Sequence, residues 1–223
     1  MKKYLIFTVA FLFLSFACVV FAQKSSDLNK DQLADEEDRK IAKQVVDDIQ
    51  STYQSARELT LKGDKVLFLP DNKVGDAASA QSLYTRSAAL LSKFFDKWGA
   101  LYSQDPSLFA LLDLLRAQNA RGLAFAALVN NNTDLHAQYR HETIDIAQAA
   151  LNYIKSSTFE NPQFPLVKEQ MQRYLTEAHF FLYIHYKSKN DSAKAKEHLK
   201  LAAETTPDPK AKAMLDQMLK EEK

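Results

Sequence analysis

Apolar residues in this chain recur at steps of three and four over long stretches, the spacing of one face of an α-helix. The first row is Ile41, Val45, Ile49, Tyr53 and Ala56. It follows Asn29, a capping residue, and an opening with Asp31, Asp35, Glu36 and Glu37, which suit the positive end of the helix dipole. Lys62-Gly63-Asp64 is expected to end this helix, since glycine is the usual terminator. The link "KVLFLPDNKVG" carries Val66, Leu67, Phe68 and Leu69, which either pin a long connection to the core or form a binding lip.

Asp76 then caps a second helix reaching about Ser103, with Leu83, Leu90, Leu91, Phe94, Phe95, Trp98 and Leu101 as its buried set. Asp105-Pro106 opens a third, Ser107 to about Val129. That helix is apolar or small around most of its surface. Ala117, Ala120, Gly122, Ala124 and Ala127 let neighbours approach closely, so it should be central. After the turn Asn130 to Asp134, a fourth helix to about Lys155 buries Ile144, Ala147, Leu151 and Ile154. Pro165 opens a fifth ending in "HFFLYIHY"; Asn190 or Asp191 caps a sixth to about Thr205; and Asp208-Pro209 opens a seventh. Only 4 Gly and 6 Pro in 223 residues argue against a turn-rich β fold, and the expectation is an all-α chain.

The first residues change the setting. "MKKYLIFTVAFLFLSFACVVFAQ" has two lysines, an apolar run and small residues before Gln23, the pattern of a secretory leader cut after Ala22. Two other readings stand beside it: a lipoprotein signal cut before Cys18, and an uncleaved anchor, since the run approaches the roughly 20 residues that span a bilayer. On the first reading, residues 1–22 are the leader, 23–30 a polar tether and 31–223 a single helical domain, periplasmic or secreted. On the others the chain is membrane-anchored, and only then does it contact a membrane. Cys18 is the sole cysteine, so the mature chain holds no disulfide and relies on its core. The short Met-Lys-Lys start and the lack of disulfides favour a bacterial envelope.

Charge is uninformative except by exclusion. The formal net charge is +1, and a chain this close to neutral lacks the basic excess that a phosphate backbone demands, so no nucleic-acid partner is expected.

The segment from about Thr176 to Pro209 has a more particular spacing. His179, Leu182, Tyr183 and Tyr186 fall where the tetratricopeptide repeat has its tryptophan, leucine, glycine and tyrosine; Ala195, Leu199 and Pro207 fall where it has alanine, an aromatic and proline, and Ala202 extends the second helix's packing face. The segment resembles one tetratricopeptide repeat followed by a capping helix, Lys210 to Lys220. His179 in place of the bulky aromatic and Tyr183 in place of the small residue suggest a repeat at the end of an array, or one whose inner contact has opened. The upstream hairpins show no second clean copy.

The resemblance implies antiparallel helical hairpins stacked as a right-handed superhelix or bundle, about seven helices after the leader. Leu182, Tyr186, Ala195, Leu199, Ala202 and Pro207 would then be packing positions. Glu177, Phe180, Ile184 and Lys187 form another stripe on the same helix, and in the family that stripe lines a concave binding groove. Burial of Phe180 and Ile184 under the fourth helix is the competing expectation. The family also implies a function: a non-catalytic adaptor or scaffold holding another envelope protein or a peptide. A small-molecule or lipid carrier with an apolar helix-lined pocket is the alternative.

Chemistry is sparse. His136, His141 and Asp145 sit near one helix start, but no zinc-ligand spacing is present and no metal or cofactor is expected. Gly-x-Ser-x-Gly and phosphate-loop patterns are absent, and paired acids such as Asp47-Asp48 read as solvated helix faces. No catalytic residue is expected.

Overall fold

The computed structural model describes residues 32–70, 73–104, 106–157 and 162–222; the leader, the tether and Cys18 lie outside the described residues. Those residues hold seven α-helices: α1 (Gln32–Leu67), α2 (Ala77–Gln104), α3 (Ala110–Val129), α4 (Thr133–Ser156), α5 (Phe164–Ser188), α6 (Ser192–Thr205) and α7 (Pro209–Glu221). A 3-10 turn, Pro106–Phe109, precedes α3, and the described residues contain no strand beyond an isolated bridge between Phe68 and Val74. Contacts divide the chain into Met1–Thr52 and Tyr53–Lys223. The described part of the first unit is the leading stretch of α1, with Val45 buried and Ile41 exposed. The second holds the rest of α1 and the six helices after it.

Gly63 does not end α1, which runs on to Leu67. The glycine serves an approach instead of a stop. A Cβ there would lie 2.8 Å from Tyr84 Cε1, and one on Gly122 of α3 would lie 2.4 Å from Tyr84 Cζ. The fully buried Tyr84 ring thus fills the space that two missing side chains leave. Its hydroxyl donates to Asp64 at 2.7 Å, and Gln118 Nε2 donates to the same carboxylate at 2.9 Å. Beyond Leu67, which is buried, the link is partly exposed at Phe68 and Leu69, though the Phe68 ring still packs edge-on against Phe125 at 5.3 Å.

Gly122→Ala is therefore expected to destabilise by about 1–3 kcal/mol through overpacking, read as a lower urea midpoint. Gly99→Ala is the control, because a Cβ at Gly99 meets nothing within 4 Å. It should stabilise by roughly 0.5–1 kcal/mol through helix propensity.

A second tie joins α1, α2 and α3. Thr60, Ser87 and Asn119 are all buried; Thr60 Oγ1 donates to Asn119 Oδ1 at 2.8 Å, Asn119 Nδ2 donates to Ser87 Oγ at 2.8 Å, and Ser87 Oγ donates to the Ala56 carbonyl at 2.9 Å. Each polar atom has a partner, which is the condition for burying it cheaply. Helix α3 is buried on nearly every side, as its small residues predict, and packs against α2, α4 and α5.

The remaining helices form two hairpins with the same turn. Between α3 and α4, Asn131 is left-handed (φ 56°), and Asn132 caps α4 by accepting from Leu135 N. Between α5 and α6, Asn190 is left-handed (φ 59°), and Asp191 caps α6 by accepting from Lys194 N. The backbone bonds match too: Asn131 N to Leu128 O and Asn132 N to Ala127 O in one, Asn190 N to Lys187 O and Asp191 N to Tyr186 O in the other. Asparagine tolerates the left-handed region better than other side-chain-bearing residues, which is why it stands at both places.

Aligned through these turns, Leu123 matches Leu182, and His136, Arg140, Thr143 and Ile144 match Ala195, Leu199, Ala202 and Ala203, all buried. Bulk is exchanged across the hairpin. Ala124 on α3 faces His136 on α4, whose Nδ1 donates to the Ala124 carbonyl at 2.8 Å, whereas Tyr183 on α5 packs with Ala195 on α6. Helix α3 also touches α5 directly, so the first helices of successive hairpins are neighbours.

Candidate functional site

Helix α5 divides its surface between two neighbours. Met171, Leu175, Ala178 and Leu182 join Ile144, Ala147 and Ala150 of α4 in the main core. Tyr183 faces Leu199 and Ala202 of α6 and Leu215 of α7 in a second cluster, with Phe180 packed beside it. Arg173, Thr176, Glu177 and Phe180 are left to line one wall of a groove. The opposite wall comes from Ala211, Met214 and Leu215 of α7, and the Thr206–Pro207–Asp208 connection closes one end. Asp208 caps α7 by accepting from Lys210 N, and Pro209 fits the first turn, so the sequence itself fixes where this wall starts.

The groove has a volume of about 300 Å³ and opens to solvent. Contacts between α5 and α7 advance together, from Thr176 beside the connection to Tyr183 and Lys187 beside Glu222, so the two helices run in the same sense. Tyr183 donates to Glu222 at 2.6 Å, and Lys187 donates to both Glu222 and the Tyr183 hydroxyl. Leu215 forms a buried floor, while Met214 is 56% exposed.

The four residues singled out for the groove separate. Glu177 and Phe180 both line it, and Phe180 is half-buried. Ile184 is 46% exposed, one turn further along and not under α4. Lys187 lies further along α5, outside the groove lining, where it pairs with Glu222 and each holds the other charged: the lysine is pushed up and the glutamate held down by their mutual hydrogen bond. Of the packing residues, Leu182, Ala195, Leu199 and Ala202 are buried. Tyr186 is half-buried and stacks on His198, ring centroids 5.3 Å apart. Pro207 is exposed and lines the groove.

Glu177 is not a free rim charge. Arg121 Nε donates to both of its oxygens at 2.9 Å, and Arg140 Nη1 donates to Oε1 at 2.6 Å. Arg140 is fully buried, its guanidinium 4.4 Å from the Phe125 ring centroid and 4.3 Å from that of Phe181. Burial lowers its pKa to about 10, against the pull of Glu177, so it stays charged at neutral pH. Arg121 lies over Phe125 and within 5.8 Å of Phe68 and Tyr174. Sequence reasoning missed both arginines, Arg173 and Met214. The one available signal was Arg140 itself, a cation four residues after His136 on a row where an apolar residue belongs.

Other polar clusters tie helices together. Asp113, buried at the start of α3, accepts from Tyr102, Tyr153 and Arg116; burial raises its pKa, and those three donors oppose the rise. His141 and Asp145 are both exposed. Among the described residues no group of three His, Cys, Asp or Glu side chains is placed to hold a metal, and no helix is long and apolar enough to cross a membrane. No protein-family model matches the chain, and no curated protein or solved structure is detectably similar to it.

Proposed function

We propose that this chain is an exported, tetratricopeptide-like adaptor of the bacterial cell envelope, holding a peptide segment of another protein in the groove between α5 and α7 and having no catalytic activity of its own. The observation that carries the reading is the groove: first-helix surfaces side by side, Phe180, Leu215 and Ala211 as an apolar lining, Met214 exposed at the lip. Exposed methionine and half-buried aromatic side chains are what a helical groove offers to the apolar side chains of a bound segment. A volume of about 300 Å³ holds one or two such side chains and is at the small end for a whole ligand. That, and the open side, favours the adaptor over a carrier with an enclosed cavity. The matched turns of the two hairpins support the tetratricopeptide likeness, because a stack needs more than one unit.

Met214→Glu is expected to weaken partner binding at least tenfold, since it sets a charge against apolar surface, while leaving the melting temperature within a few degrees because the side chain is exposed. The test places a photo-crosslinking residue at position 214, and as a control at exposed Lys200 on α6, in the intact envelope. A protein joined from 214, not from 200, and lost on Phe180→Ser supports the reading. A small molecule co-purifying with the protein and no joined polypeptide would transfer it to the carrier.

A further inference from the structure

We propose that the histidines inside the α5–α6 hairpin form an acid-operated latch, which holds α6 and α7 against α5 near neutral pH and lets them go when both facing imidazoles take up a proton. His179 of α5 is 2% exposed, and its Nδ1 lies 3.0 Å from Nδ1 of His198 on α6. One proton fits between two such nitrogens: one ring donates and the other accepts. With both rings fully protonated, two N–H groups and two positive charges meet at hydrogen-bond distance, which drives the helices apart.

The surroundings give the second charge little relief. From α4, His141 sets its ring 5.8 Å from that of His198, and its Nε2 is 3.3 Å from the Tyr186 hydroxyl. From α5, Tyr186 stacks on His198, and Lys194 of α6 sits over the Tyr186 ring. Glu197 on α6 is the acid that acts on His198; it is exposed and makes no hydrogen bond to the ring among the described residues. His179 Nε2 is buried with no partner of its own. Among the described residues no carboxylate is hydrogen-bonded to either imidazole.

Burial, then the charges of His198 and His141, hold the His179 pKa down to about 4, and burial followed by His141 holds that of His198 below its ordinary value. The sign follows. A histidine whose folded pKa is depressed is kept neutral by the fold, while the unfolded chain takes up the proton near its ordinary value of about 6.5. Stability is full above that and falls as pH drops from about 6.5 towards 4. Helix α7 packs on α6, so it leaves with it, and one wall of the groove goes too. That consequence rests on the groove being the binding site; the latch itself does not.

The test is amide hydrogen exchange on the full-length protein, with a chelator present throughout, at pH 7.5 and pH 5 after correction for intrinsic rates. Protection in α6 and α7 is expected to fall roughly tenfold relative to α3 and α4. His198→Asn keeps a donor and an acceptor near the Nδ1 position, cannot carry charge, and should remove the share of that difference that comes from the facing charge, leaving the share that comes from burial of His179. Equal loss in every helix, no loss in α6 and α7, or a full response in His198→Asn each overturns the latch. If that variant does not fold, NMR titration of the unaltered protein decides: His179 and His198 must titrate as a coupled pair, both below the ordinary histidine value, and independent titration near the ordinary value of about 6.5 overturns it. Crosslinking from position 214 at pH 7.5 tests the groove separately.

Discussion

Glu177→Ala should lower the stability of this protein by about 3–5 kcal/mol, the range for stripping the counter-charge from a buried ion. Arg140 is 0% exposed, and Glu177 is its acceptor; among the described residues the Nε and Nη2 of Arg140 have no hydrogen-bond partner. Without the carboxylate, Arg121 and Arg140 are two cations converging on an empty place. The rings of Phe125 and Phe181 soften that, since cation–π contacts contribute up to about 2 kcal/mol each when desolvated, but both remain in the unaltered protein too and so do not offset the loss. Urea unfolding measures the effect. Glu177→Gln keeps one acceptor and should lose less. A deficit under about 1 kcal/mol for the alanine variant would mean that water reaches Arg140 and that the pair is not buried in any energetic sense.

This puts the glutamate in a different light from its position in the sequence. Spacing alone sets Glu177 on the same stripe as Phe180, and the groove does contain both. What spacing does not register is that two arginines from α3 and α4 reach the same carboxylate from far along the chain. Periodicity reports which face of a helix is covered, because burial of apolar area repeats with the turn. It carries no information about which distant charge fills a gap in that cover.

The same limit hid the second hairpin. Much of the helical layout was legible: the caps at Asp76, Asp191 and Asp208 and the first-turn prolines Pro165 and Pro209 lie where the structure has them. Pro106, by contrast, stands in the 3-10 turn ahead of α3, Ile41 of the first apolar row is exposed, and of the set expected to be buried on α2 only Leu91 and Phe94 are. Gly63 was misread because a glycine that admits a tyrosine ring and one that ends a helix look alike in one dimension. The hairpin of α3 and α4 repeats the turn of α5 and α6 bond for bond, yet its inward row reads His136, Arg140, Thr143 where the later one reads Ala195, Leu199, Ala202. A search for small and apolar residues passes over polar ones, although here they are just as buried. Longer helices add to the disguise: α4 has 24 residues, and α6, its counterpart, has 14.

Arg140→Met is the complementary experiment, with the opposite sign expected. The buried pair has to be desolvated at both ends, and substituting apolar side chains for such pairs is often neutral or stabilising by about 1–4 kcal/mol. Leu199, at the matching place in the next hairpin, is equally buried and apolar, so the register accepts such a residue. Methionine follows the arginine stem and keeps a polarizable group between Phe125 and Phe181, which limits the cavity. Glu177 is left with Arg121, and at 27% side-chain exposure it retains access to water. The variant should therefore be at least as stable as the unaltered protein. In that background Glu177→Ala should cost no more than about 1 kcal/mol, because its large effect elsewhere comes from the cation it abandons. If instead Arg140→Met loses more than about 1 kcal/mol and Glu177→Ala remains costly on top of it, the ion pair is a source of stability in its own right, and the likeness between Arg140 and Leu199 ends at their shared burial.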